Sequence, residues 1–191
     1  MTKRIIIYEM NSKEEILECL VTKFLDGVTQ VSDAVSKKLT DNKLFIYTAN
    51  EVLQIYMAEM NEDMRNLYLS AYSMAKTSEA ILLRRSEMLY EHFGDMFPDF
   101  AVKDFYELEI ASMAIMQGYI SVPCNIYFTL EDKTKRLVTT MLKIYDIPED
   151  VIDKTLEFVK KIDFCSVAEN SVESFFEEFG IKKRNLTPER R

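Results

Sequence analysis

Between Phe45 and Ala75 the chain carries apolar residues at three- and four-residue spacing: Phe45, Ala49, Val52, Leu53, Tyr56, Met60, Met64, Leu67, Tyr68, Ala71, Tyr72 and Ala75. Side chains so spaced fall on one face of an α-helix, whereas a strand needs strict alternation. A stripe this long excludes a β architecture here and demands apolar partners along its whole length. Asn61-Glu62-Asp63 is read as a break between two helices. Only four glycines and four prolines occur in 191 residues, which favours long helices over a turn-rich fold. A chain of this length buries roughly 70% of its unfolded surface, so it needs no covalent staples.

The same period continues on both sides. A first helix is predicted from Ser12 to about Leu39, carrying Ile16, Leu17, Leu20, Phe24, Val28, Val31 and Val35, with a possible kink at Gly27. Ser12 and Glu15 have capping-box spacing, as do Ser166 and Glu169, and Thr129 with Asp132 forms a similar pair. Ser78 is predicted to cap the helix that carries Ile81, Leu82, Met88 and Leu89. Gly94 is expected to close it in the left-handed conformation, with Pro98 preventing continuation. Residues 104–120 are apolar on two flanks, Phe105, Leu108, Ile115, Met116 and Tyr119 against Tyr106, Ile110 and Met113, and Pro123 ends that helix. Pro148 suits a first helical position, and Gly180 terminates the last helix. The fold class is therefore all-α, a multi-helix bundle of some seven helices over residues 12–180, preceded by residues 1–11 and followed by a basic tail at 181–191.

Charge and cysteine usage narrow the function. The formal charge of −8 opposes general polyanion binding, although both ends are basic: Lys3 and Arg4 at one, Lys182, Lys183, Arg184, Arg190 and Arg191 at the other. Cys19, Cys124 and Cys165 are odd in number and widely spaced, which fits a reducing cytoplasm rather than a disulfide framework. No apolar run approaches the ~20 residues of a membrane span, so no membrane partner is expected. One histidine, His92, and the absence of nucleophile-elbow, phosphate-loop, dinucleotide, zinc-protease or calcium-loop spacings argue against catalysis, a metal or a cofactor. His92 reads instead as a helix-end residue that complements the dipole.

The binding candidates are Tyr56, Met60, Met64, Tyr68 and Tyr72 on the long stripe, with Met113, Met116 and Tyr119 from the doubly apolar helix. Tyrosine joins an apolar body to a hydroxyl that needs a partner, and methionine adapts to irregular shapes. Together they suit a pocket for an apolar or aromatic small molecule; the alternative is plain core packing. Arg85 shares the stripe of Leu82 and Leu89. It reads as an edge residue snorkelling to water, or as a buried cation that receives an acidic ligand group.

The opening residues, MTKRIIIYEMNSKEEIL, resemble the end of the helix-turn-helix in TetR-family transcriptional regulators. There the recognition helix runs into an aromatic joint and then a Ser-Lys-Glu-Glu helix start. Ile7, Glu9 and Met10 depart from the tyrosine, histidine and phenylalanine usual at their places. The resemblance implies that Thr2, Lys3, Arg4, Tyr8 and Lys13 are remnants of a DNA-binding head, most of which would precede Met1. Residues 12–180 would then form a ligand-binding and dimerisation domain. It implies a homodimer through about residues 104–122 and 129–145, with Phe105, Leu108, Ile115, Gly118, Leu137 and Met141 at the contact. Operator DNA is an expected partner only with the missing helices present. The rival expectations are a stand-alone helical protein that binds a hydrophobic small molecule, and a headless module that heterodimerises with an intact regulator.

Overall fold

The computed structural model describes residues 13–179, and all regular structure among them is helical. Eight helices follow in order: α1 (Lys13–Ser36), α2 (Lys43–Met60), α3 (Glu62–Ser73), α4 (Ala75–Phe93), α5 (Val102–Ser121), α6 (Leu130–Ile144), α7 (Glu149–Val159) and α8 (Phe164–Phe179). A single antiparallel bridge, Asn125 to Phe128, closes the turn between α5 and α6. Helix α2 is the axis of the bundle and packs against every other helix. Its sequence explains this position. Leu44, Tyr47, Ala49, Val52, Leu53, Ile55, Met57 and Ala58 are all buried, and they point to every side of the helix. A helix apolar all round is stable only when it is enclosed.

The helix boundaries follow local hydrogen bonding. Asn42 caps α2 by accepting from the amides of Leu44 and Phe45 at 2.9 and 3.3 Å. Asn61 separates α2 from α3, its backbone extended and its side chain accepting from Met64 N–H at 3.0 Å. Thr129 and Asp132 form the reciprocal box of α6. The turn after α6 places Asp146 in the left-handed region, φ 52°, which a short polar side chain tolerates.

Several expected boundaries are corrected. Helix α1 runs through Gly27 and stops at Ser36, three residues before Leu39. Helix α4 starts at Ala75 because Met74 is extended (φ −90°, ψ 119°), so Ser78 lies inside the first turn rather than at the cap. Gly94 ends α4 in the right-handed conformation (φ −51°, ψ −36°), its N–H donating to Tyr90 O at 2.9 Å. Pro148 is the N-cap of α7, one residue ahead of the helix. Helix α8 starts before Ser166, and the Asp163 carboxylate takes the capping role, accepting from both the amide and the hydroxyl of Ser166. The Ser12 cap and the Gly180 stop lie outside the described residues.

Two of these positions make opposite predictions. Asn61→Ala leaves the first-turn amide of Met64 without its acceptor and lowers stability by about 1 kcal/mol. Ser78→Ala stays within about 0.5 kcal/mol of the parent. Urea denaturation of both variants checks the pair, and an equal loss at both would restore Ser78 as the cap.

Candidate functional site

A charged cluster occupies the junction of α2, α4, α5 and the end of α6. Arg85 lies on the inward face of α4 with Ile81 and Leu89, one turn away on either side. It is 9% exposed, and its guanidinium bonds to two carboxylates. Nε donates to Glu109 of α5, and Nη2 donates to Glu51 Oε1 of α2 at 2.9 Å and approaches the Tyr47 hydroxyl at 3.5 Å. The Tyr145 hydroxyl donates to the other oxygen of Glu109 at 3.0 Å. Glu51 and Glu109 are both essentially inaccessible to water.

One guanidinium thus faces two buried carboxylates. Burial pushes the Glu51 carboxyl above its usual range, Arg85 pulls it back and the Glu109 charge pushes it up further. Burial also works against the charge on Arg85, but Glu109 and Glu51 outweigh it and hold the guanidinium firmly protonated. Burial raises the phenols of Tyr47, Tyr72 and Tyr145, helped by the same carboxylates, so all three remain neutral. Buried ion clusters add little net stability compared with apolar packing, and charged groups inside a fold are candidates for function.

Arg85 reaches the surface in a groove between α1, α2 and α4, a cavity of about 400 Å³ lined also by Leu25, Thr29, Asn50, Gln54 and Met88. Its floor carries a polar relay. Asn50 Nδ2 donates to Thr29 Oγ1 at 3.2 Å, and Gln54 Nε2 donates to Asn50 Oδ1 at 2.9 Å. Gln54 is 1% exposed and its Oε1 has no partner. An ion pair between Arg84 of α4 and Asp26 of α1 ties the two walls together. A second cavity of about 410 Å³ abuts the first, sharing Thr29, Asn50 and Met88, and adds Ile46, Tyr47, Leu89 and Phe93.

The residues singled out from the sequence do not converge on one cavity. Met64, Tyr68, Tyr72, Met113 and Met116 are core residues, with Tyr68 edge-on to Phe24 at 5.1 Å and beside Tyr72 at 6.5 Å. Tyr56 is half-buried against Phe164 at 5.3 Å and lines a different cavity, shared with α6, α7 and the start of α8. Met60 is exposed, and Tyr119 packs on Phe128 at 5.8 Å. Of the ligand candidates only Arg85 lines the groove. Its Nε and Nη2 are held by the chain's own carboxylates, Glu109 and Glu51. Phe105, Leu137 and Met141 are filled in by this chain's core, while Leu108 and Ile115 are half-buried and Gly118 is on an exposed side of α5. Lys13 opens α1; Thr2, Lys3, Arg4 and Tyr8 lie outside the described residues. His92 occupies the last turn of α4, with Nδ1 2.7 Å from Met88 O.

Glu51, Glu109, Tyr47, Tyr145, Asn50 and Gln54 were not anticipated. The available signal was acid within two largely apolar runs, Glu51 in ANEVLQIYM and Glu109, with Glu107, in FYELEIASM. An acid on an enclosed face needs a cation, and Arg85 is the basic residue embedded in an apolar stripe. Among the described residues no group of three or more His, Cys, Asp or Glu is arranged to hold a metal ion. No helix there is long and apolar enough to cross a membrane.

Replacing Arg85 with Met keeps the apolar stem but strands two carboxylates, and destabilises the fold by about 3–5 kcal/mol near neutral pH. The loss shrinks on acidification. Without Arg85 the folded chain binds a proton at Glu51 more tightly than the unfolded chain does, so the variant gains relative stability as pH falls. Denaturant midpoints of parent and variant at about pH 7 and about pH 5 measure this; a gap that widens at the lower pH is incompatible with it. Comparison of the chain with family models, with curated proteins and with solved structures returned no match.

Proposed function

We propose that this chain is the ligand-sensing and dimerisation part of a TetR-like transcriptional regulator. One observation carries the sensing reading: the Arg85–Glu51–Glu109 centre lies directly beneath a groove of ligand size. A core that places charge where apolar packing would serve stability better, next to a concave surface with buried polar groups, has the composition of a small-molecule site. The regulator part of the reading rests on the Ser-Lys-Glu-Glu helix start and the all-helical body that follows it. In such a mechanism a ligand that binds one arrangement of α1 and α4 better than another shifts the population between them. The ion pair from Arg84 to Asp26 couples those helices across the groove.

The stand-alone binding protein is the second reading. It is favoured by the groove's construction, since α1, α2 and α4 supply all of it and no second copy is needed.

Native mass spectrometry of the purified protein, before and after organic extraction, tests both readings together. The regulator reading expects a dimer that carries a small-molecule adduct, lost on extraction. A monomer with the adduct supports the stand-alone binder, and a monomer without one overturns both. Light scattering at micromolar concentration gives the oligomeric state independently.

A further inference from the structure

We infer that the groove between α1, α2 and α4 takes a small amphiphile whose polar end is a primary ammonium, recognised by Gln54 and the acidic rim rather than by the arginines. This deepens the ligand-binding reading above and depends on it.

The charges in the groove point to a cation. Two guanidinium groups line it, and both are already paired: Arg84 with Asp26, and Arg85 with Glu51 and Glu109. A carboxylate or phosphate entering here meets no free arginine. It meets Glu87 and Glu91 on the rim, which pair with no cation among the described residues, above a buried centre holding one cation against two carboxylates. A positive group is attracted by the same arrangement.

The hydrogen-bonding pattern specifies a donor. In the relay from Gln54 through Asn50 to Thr29, the Gln54 nitrogen donates back along α2 to Asn50 and the Asn50 nitrogen donates to Thr29 of α1, which leaves Gln54 Oε1 as the atom without a partner. A buried acceptor lacking a donor is a standing cost to the fold, and a ligand N–H relieves it. A primary ammonium brings three donors on a compact head, enough for Gln54 and a rim carboxylate at once.

The apolar remainder of the ligand has its own place. Leu25, Ile81 and Met88 flank the polar floor, and the adjoining cavity adds Ile46, Leu89 and Phe93. The Tyr47 ring stands edge-on to Phe93 with centroids 5.5 Å apart, giving an aromatic wall for a flat or branched hydrocarbon stem.

Three probes of one shape isolate the head group: phenylbutylamine, phenylbutanol and phenylbutyrate, each titrated calorimetrically into the full chain. The amine is expected to bind about tenfold tighter than the alcohol, and the carboxylate most weakly. Gln54→Leu is expected to lower amine affinity about tenfold, and to lower that of the alcohol, which brings a single uncharged donor, by less. Should that variant fold poorly, the surface double variant Glu87→Gln/Glu91→Gln leaves the core untouched; it is expected to cut the preference of amine over alcohol and the salt dependence of amine binding. A carboxylate that binds as tightly as the amine overturns the inference, as does an amine with no preference over the alcohol, or no binding of any probe at millimolar concentration. The mass-spectrometric adduct reports on the ligand-binding reading separately. An extracted molecule without an amine would leave that reading standing and remove this one.

Discussion

Helix α2 is enclosed by the other seven, yet it carries two glutamates, Glu51 and Glu59. Neither can remain charged in that position without a cation delivered from outside, and each is met by a different helix. Arg85 of α4 reaches Glu51, and Lys133 of α6, itself fully buried, reaches Glu59. The two glutamates are just over two turns apart, so the pairs fix α4 and α6 at different heights along α2. Pairs of this kind add little to net stability, but a packing that separates their members leaves an isolated buried charge. Alternative arrangements of otherwise interchangeable apolar helices are thereby penalised.

The two pairs differ in what else they hold. Lys133 also donates to Val122 O and lies 5.8 Å from the Phe128 ring, while Glu59 accepts from Cys124 N–H at 3.0 Å and from Arg65 at 3.1 Å. This assembly secures the turn between α5 and α6, where Ile126 and Tyr127 are the most exposed large apolar side chains described. Three donor groups converge on this one carboxylate, and both of its oxygens are satisfied. Around Arg85 the balance is reversed: Glu51 Oε2 has no partner. The first assembly leaves over a donor, Arg65 Nε, and the second leaves over an acceptor, Glu51 Oε2.

The helical architecture was legible because periodicity is a property of many residues at once. The run from Phe45 to Ala75 tolerates exceptions without losing its face, and the break at Asn61 combines a capping side chain with two acids that favour a helix start. Individual boundaries were less legible. Ser78 and Ser166 are competent caps, but the chain turned earlier, at Met74 and Asp163, where tertiary packing set the direction of the next helix. The candidate site was legible only in part. A Tyr and Met stripe looks the same in sequence whether it fills a core or lines a cavity, and Tyr68, Met64 and Met116 fill the core. Arg85 stood out as a charge on an apolar face, but its partners Glu51 and Glu109 are 34 and 24 residues away in sequence and come from two other helices. No local pattern brings those three together; only the packing of α4 and α5 against α2 does.

The opposite shifts of the two α2 glutamates show what that packing does to one residue type. Burial pushes both upward. For Glu59 the hydrogen bonds from Lys133 and from the Cys124 amide, with the charges of Lys133 and Arg65, more than offset it, and the carboxyl ends below its usual range. For Glu51 the one guanidinium is shared with Glu109, whose charge pushes in the same direction as burial, and the carboxyl ends above it. Linkage gives these shifts opposite signs. The Glu59 contribution is present above the unfolded carboxylate range and is lost as pH falls through its lowered value. Glu51 is held more easily as the neutral acid, so its ionisation opposes folding as pH rises through that range. Glu59 is thus a charge the fold has fully stabilised, while Glu51 is a charge it carries at a cost. A group that relieves such a cost, whether a proton or a ligand cation near the groove above, binds the folded state in preference to the unfolded one.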